Sequence, residues 1–233
     1  MKEELWRISE LWYRGVSKAT YKLIPGVYRE GKYNLDDAKN LANSFIHRAK
    51  GYLTYGTTIG KWEWYQIMQH HGLPTRLLDW TEGSLIALYF SLRKTGEGLS
   101  PCVWVLNPYE LNLVTTNEEI IYYTDEKTRE NRDEIVDGYL FDAEKLLEYP
   151  IALIPPYINE RMSVQKSCFT VHGHLINGLE KLHEDLNLNL IQLRIDASNA
   201  ISIKKDLKGS GITESTLFPD LEGLARELKE TLI

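Results

Sequence analysis

The stretch "QHHGLPTRLLDWT", Gln69–Thr81, decides how the rest of the chain is read. It gathers two adjacent histidines, a Gly, a Pro, an Arg and an Asp between two apolar segments. Upstream, "KWEWYQIMQHHG" places Trp64, Ile67 and Met68 at helical spacing. That predicts a helix ending at Gly72 in a left-handed cap, with Pro74 forbidding continuation. Downstream, Asp79 as an N-cap and Glu82 three residues on predict a capping box. The helix it opens, through "LIALYFSL", is nearly apolar all round and is expected to be central and buried. On this reading the stretch is a loop facing the positive end of a helix, where unpaired N–H groups attract anions.

Outward from there, "LWYRGVS" (Leu11–Ser17) reads as a short strand broken at Gly15, and Pro25-Gly26 as a turn. Leu35, Ala38, Leu41, Ala42, Phe45, Ile46 and Ala49 recur at helical spacing, with Asn34 as the N-cap. "CVWVLN", "YPIALIPP", "SCFTVHG" and "LIQLRID" read as strands, and "FPDLEGLARELKETL" as a closing helix with Pro219 near its first turn. The acidic stretch 117–142 reads as an irregular excursion with a short helix. Helices and strands mix without a βαβ rhythm. The expectation is an α+β fold, a mixed and mainly antiparallel central sheet flanked by helices, in a single domain over 1–233 with its core at about 12–228.

Three stretches carry residues suited to chemistry. In the first, Arg76 offers a bidentate cation, and His71, nearer the loop than His70, a group that titrates near neutrality. Gln69, Thr75, Asp79 and Trp80 complete it. The alternative is structural: Arg76 pairs with Asp79, and Asp79 only caps a helix. In the second, "WYRG", Arg14 stands beside a glycine that a ligand can approach closely, with Trp12 and Tyr13 available to stack or to pack. In the third, "RMSVQKSCFTVHGH" (Arg161–His174), strand alternation sets Gln165, Ser167 and Phe169 on one face. Gln165 either reads an amide or base edge or satisfies buried backbone. His172 and His174 would share a strand face, but no Cys or carboxylate stands beside them at ligand spacing, so no metal site is expected.

Composition excludes several classes. At 43% hydrophobic and 26% charged, the 233 residues suit a water-soluble domain with a sizeable core. No apolar run reaches membrane-span length, and "MKEELWRISE" does not read as a signal peptide. Cys102 and Cys168 are expected to be reduced and buried in a cytoplasmic protein with no membrane partner. Net charge is −6 but uneven. Residues 1–100 hold 14 basic and 10 acidic side chains (+4), the remainder 13 and 23 (−10). A basic surface in the first segment would draw phosphates. There is no dinucleotide glycine fingerprint, P-loop, HExxH or GxSxG.

At these three stretches the sequence resembles the FRG domain family, named for an aromatic-Arg-Gly motif that here is Tyr13-Arg14-Gly15, followed by Leu23-Ile24-Pro25 and Arg29. The family's second block is matched by Gln69–Thr81 and Ala87–Phe90, with Ser91 where Ala is usual. The third is matched by Arg161, Gln165, Phe169 and Thr170, with Ser167 in place of Gly, and "LFPDLEGLA" fits the closing segment. The resemblance implies a stand-alone FRG domain protein with an anion- or nucleotide-binding pocket, in a setting of phage defence. Its layout is similar to NAD-using ADP-ribosyltransferases, which makes NAD the cofactor to test and Glu160 the weak counterpart of their catalytic Glu. As an enzyme, it would be an NAD- or nucleotide-dependent transferase or hydrolase. Arg14, Gln69, Thr75, Arg76, Trp80, Arg161 and Phe169 would bind the ligand, and His71, Asp79 and Gln165 would act on it. As a non-catalytic sensor, the same residues would recognise a nucleic acid or a phage protein.

Overall fold

The computed structural model describes residues 10–31, 35–53, 58–94, 98–125, 133–144 and 146–230. Within them are strands β1 (Trp12–Val16), β2 (Leu77–Thr81), β3 (Cys102–Leu106), β4 (Tyr122–Tyr123), β5 (Ile151–Ile154), β6 (Ser167–Val171) and β7 (Leu190–Arg194). They form one sheet in the order β4-β5-β6-β2-β1-β3-β7. Every neighbouring pair is antiparallel except β4–β5. The helices are α1 (Leu35–Ala49), α2 (Lys61–His70), α3 (Ser84–Leu92), α4 (Pro108–Thr116), α5 (Asp133–Asp137), α6 (Glu160–Val164), α7 (Gly178–Leu186), α8 (Ala200–Gly209), α9 (Glu214–Leu217) and α10 (Leu221–Glu230). This is the mixed, mainly antiparallel α+β sheet that the sequence predicts. The Asn34 cap lies outside the described residues.

The sheet separates two cores. Leu77, Ile151, Leu153, Phe169 and Val171 bury one face against Ala42 of α1 and Tyr65 and Met68 of α2. Trp12, Leu78, Trp80, Leu106, Ala152 and Cys168 bury the other against Leu111 of α4 and Leu179 and Leu182 of α7. Adjacent residues such as Leu77 and Leu78 therefore feed opposite cores, as a pleated strand covered on both faces requires.

That double burial corrects the reading of the opening stretch. Leu77–Thr81 is a central strand, and α3 starts only at Ser84, with Gly83 at its N-cap and no side-chain cap. Asp79 sits in mid-strand, and no capping box with Glu82 forms. Instead, the Thr81 hydroxyl accepts from Gly83 N–H at 3.0 Å, and Glu82 N–H donates to the Lys166 carbonyl at 3.2 Å. Apolar residues at 77, 78 and 80 satisfy a two-sided strand, whereas a helix cap needs only the polar residues between them. The α2 end is as expected: Gly72 follows it at φ +78.

Gly15 does not break β1; it pairs with Val103 of β3. Its missing side chain is where α3 lies. A Cβ there would stand 1.8 Å from the Ala87 carbonyl oxygen and 2.6 Å from Ser91 N. The close approach foreseen for a ligand is made by helix backbone. Only Ile86, Ala87, Ser91 and Leu92 of α3 are buried, so this helix is less enclosed than its composition predicts.

β6 begins at Ser167, where the run "SCFTVHG" predicts it, but the strand alternation does not extend back to Gln165. Gln165 is the C-cap of α6, Lys166 takes a left-handed φ of 45°, and the strand starts at Ser167. The positive φ falls at Lys166 and not at Ser167, so Ser167 carries no backbone strain. His172 lies just past the strand, fully buried, whereas His174 is exposed, so the two do not share a face. Thr170 Oγ1 bonds both Trp80 Nε1, at 3.1 Å, and His172 Nε2, at 3.2 Å.

Two outcomes follow from this packing. Gly15→Ala places a methyl group against fixed helix backbone and is expected to destabilise the protein by about 3 kcal/mol in urea unfolding; a loss below about 1 kcal/mol would mean that α3 can shift aside. Burial, reinforced by the charges of Arg14 and Arg76, lowers the His172 pKa to about 3. Below about pH 6.5 the unfolded chain then binds a proton at this residue that the folded chain refuses. This contribution to stability is complete above that pH and is lost at up to about 1.4 kcal/mol per pH unit as pH falls toward 3. Unfolding measured at pH 7.5 and 5.0 is expected to show a shallower acid loss in His172→Gln than in the wild type; equal slopes would contradict a neutral buried imidazole.

Candidate functional site

The sheet is not evenly zipped. Five register pairs join β1 to β3 and five join β2 to β6, but β1 and β2 meet at the single pair Tyr13↔Thr81. Beyond it the two central strands part, and a cleft of about 920 Å³ opens there. That volume suits a ligand of nucleotide size. Arg14 reaches into the gap: its Nη1 donates to the main-chain carbonyl of Asp79 at 2.5 Å. A side chain thus makes the kind of bond that a paired strand would otherwise supply.

Of the sequence-predicted residues, the cleft is lined by Arg14, Gln69, Asp79, Trp80, Arg161, Gln165 and Phe169. Helix α2 presents Gln66, Gln69 and His70, spaced three and four residues apart on one face. That spacing selects His70 and turns His71 away. His71 is exposed at the C-cap of α2, with its ring centroid 6.4 Å from that of Phe45. Thr75 lies behind the cleft: its hydroxyl donates to Gln69 Oε1 and accepts from Leu77 N–H. Gln69 Nε2 in turn donates to Asp79 Oδ1 at 3.0 Å. The stretch is therefore a relay, Thr75 to Gln69 to Asp79, that aims a carboxylate into the cleft. Glu160, at the start of α6, does not line it.

Arg76 is elsewhere. It is 4% exposed, and its Nη2 donates to the carbonyls of Tyr139 (2.6 Å) and Leu140 (2.7 Å). It lines a separate cavity of about 480 Å³ and is not paired with Asp79. Arg76 and Arg14 do not converge on one cleft. The residue ties the α5 region to β2.

Arg161 takes the place expected of Arg76. It is half-buried, and among the described residues no carboxylate lies within ion-pairing distance of it. Its guanidinium carbon stands 4.5 Å over the Phe218 ring, which Arg93 (4.4 Å) and Arg226 (5.2 Å) also face. The other two share Glu214, each at 2.6 Å. Burial pushes the Glu214 carboxyl up, but hydrogen bonds from Arg93, Tyr89 and Arg226 outweigh it and hold it below the usual range. Sequence reasoning missed Arg93, Phe218 and Glu214; the sole signal was the basic pair Arg93-Lys94 closing the third helix.

The cleft is electropositive. Among the described residues six basic side chains line it (Arg14, Lys22, Arg29, Arg93, Lys94, Arg161) against one carboxylate, Asp79. Burial lowers the pKa of Arg14, opposed by Asp79, and burial lowers that of Arg161, again opposed by Asp79. Arg14 and Asp79 stand 3.8 Å apart, with side-chain exposures of 17% and 59%. A pair so open on one side contributes little, about 1 kcal/mol or less, and does not neutralise the cleft. Burial, with the nearby charges of Arg161 and His71, lowers the His70 pKa, so His70 is biased toward its neutral form. The Gln165 side-chain amide donates to the Leu217 carbonyl at 2.8 Å, and the main-chain carbonyl of Gln165 accepts from Thr81 Oγ1 at 2.7 Å. It braces α9 against β2. The Trp80 indole, 3% exposed, belongs to the second core.

Cys102 and Cys168 are free and buried. Among the described residues no group of three or more His, Cys, Asp or Glu is placed to hold a metal ion, and no helix is long and apolar enough to cross a membrane.

Compared with known proteins, residues 9–98 match the FRG domain, in agreement with the resemblance carried by Tyr13-Arg14-Gly15 and Gln69–Thr81. The match covers β1 through α3, the strand, relay and helix that form one wall of the cleft. No curated protein and no solved structure matches the chain.

Arg76→Leu removes a buried donor and strands the carbonyls of Tyr139 and Leu140; it is expected to cost about 3 kcal/mol in urea unfolding. Arg161→Leu, by contrast, is expected to leave stability within about 1 kcal/mol. Equal losses in the two variants would contradict the division of the arginines into a brace and a free cation.

Proposed function

We propose that this FRG domain protein binds a nucleotide in the cleft between β1 and β2, holding its phosphates with Arg14 and Arg161. The carrying observation is Arg161: a half-buried guanidinium facing a cleft, seated on an aromatic ring, with no carboxylate partner among the described residues. A cation held in this way, beside a second guanidinium bonded to a neutral carbonyl, favours a polyanion with a flat group. Tyr13, Tyr21, Tyr28, Phe90 and Phe169 also line the cleft and supply aromatic surface for a base.

The reaction that best suits this lining is transfer or hydrolysis at the glycosidic bond of NAD. The C–N bond to nicotinamide breaks and its electron pair leaves with nicotinamide. The oxygen of water or of an acceptor bonds to the ribose carbon, and its proton passes to the Asp79 carboxylate, which Gln69 orients. Gln165 and Thr75 hold the wall and the relay in place. A role against phage rests on the family resemblance alone.

A second reading has one observation in its favour: Asp79 is the sole acidic group lining the cleft among the described residues, and it is largely exposed. A non-catalytic module recognising a nucleic acid or another phosphorylated partner would need the arginines without the carboxylate. Calorimetry with NAD and ADP-ribose, together with assay of nicotinamide release, separates the two. Arg161→Ala is expected to weaken binding at least tenfold with the fold intact. Asp79→Asn is expected to keep the affinity and abolish release. Binding without release in the wild type would favour the sensor, and absence of binding would overturn the nucleotide reading.

A further inference from the structure

We propose that Gln66 selects the ligand, accepting a hydrogen bond from an N–H group, an amide or exocyclic amine, carried by the ring that enters the cleft. The inference rests on the nucleotide reading above and adds to it the polarity of the group recognised.

Gln66 lies on the face of α2 that lines the cleft, one turn before Gln69 and His70. Its neighbours on that face have their work: the Gln69 amide is engaged at both ends, by Thr75 and by Asp79. Gln66 is 3% exposed, and its Oε1 has no hydrogen-bond partner among the described residues. Its Nε2 makes one long bond, 3.4 Å, to Thr124 Oγ1. A buried amide oxygen with no donor is costly, and native proteins keep few such atoms outside functional sites. A purely apolar wall at this position would have been served by Met or Leu, of similar volume and without the penalty. Met162 and Phe169, which line the same cleft, are of that kind. The unpaired oxygen therefore marks where a donor is supplied from outside the chain. The oxygen itself is covered, so the contact forms as the amide turns toward the space that it borders. A site built in this way rejects an analogue that brings an acceptor instead, because two acceptors then face each other.

Two ligand pairs read this contact in the full chain. NAD and its nicotinate counterpart differ at the pyridine amide, and AMP and the purine ribotide with hydrogen in place of the 6-amino group differ at the exocyclic amine of the purine. By calorimetry the wild type is expected to bind the N–H-bearing member of at least one pair tenfold or more tighter. Gln66→Met is expected to bind both members of that pair alike, and its melting temperature without ligand is expected to equal or exceed that of the wild type. A merely structural Gln66 would lower that temperature and leave the preference in place. Equal affinity within both pairs for the wild type overturns the inference and leaves the nucleotide cleft standing, as does a preference for the nicotinate dinucleotide or the 6-unsubstituted purine ribotide. Absence of binding by all four overturns both. The wild-type preference is decisive by itself if the variant fails to fold.

Discussion

Helix α3 lies on strand β1 with no room for a methyl group between them. The contact is backbone to backbone, with Gly15 facing the Ala87 carbonyl, and much of the molecule is arranged around it. A strand that carries a helix at this distance accepts no side chain at that position, so the residue must be Gly. The residue before it points the other way along the pleat and is free to be long and charged. The Arg-Gly pair thus has two unlike tasks on adjacent residues. Gly15 seats the helix, and Arg14 spans the gap that opens because β1 and β2 share a single register pair.

The arginines show how environment assigns roles to identical side chains. Arg76 sits on a strand buried on both faces, where a guanidinium survives only if fixed acceptors surround it; the carbonyls of Tyr139, Leu140 and His172 provide them. Its donors are spent inside the protein. Arg93 and Arg226 are spent on Glu214, a carboxylate buried between them. Arg161 has the Phe218 ring for company but no carboxylate within ion-pairing distance among the described residues, and so it alone of these four is left for the proposed ligand. Desolvation raises the attraction of such a group for an anion, because competing water is already partly removed.

The architecture was legible in the sequence because it rests on patterns that the sequence carries locally. The periodicity of 35–49, the Gly72 and Pro74 break and the apolar runs at Cys102, Ile151 and Leu190 gave the elements and the α+β class. The excess of basic residues in the first hundred is realised in the cleft, where Arg14, Lys22, Arg29, Arg93 and Lys94 all come from that segment. Two of the misreadings share one cause. "LLDWT" is a strand covered on both faces, and such strands lack the alternation that distinguishes strand from loop or helix cap. From that error followed the expectation that Asp79 caps a helix and that Arg76 faces a ligand. Of the two histidines, the choice of His71 followed nearness in sequence, whereas the 66–69–70 face of α2 selects His70. Arg161 and Phe218 were beyond reach together, since 57 positions separate them (218 − 161) and only the tertiary fold stacks one on the other.

What remains of the opening stretch is a single piece of wiring. Its Pro and Gly end a helix, and its leucines and tryptophan fill two cores. Four of its polar members divide between two tasks: Arg76 braces the interior, and Thr75, Gln69 and Asp79 form a chain that starts under the cleft and ends inside it. A glutamine between a hydroxyl and a carboxylate fixes both partners at once, because its oxygen accepts from one and its nitrogen donates to the other. The second oxygen of the carboxylate so held makes only the long ion pair with Arg14, at 3.8 Å. A cap or a surface ion pair would need none of this orientation. A group that must meet a ligand from one direction does, and that is the physical reason why the chemistry proposed for the cleft is placed at Asp79 rather than at the histidines that first draw the eye.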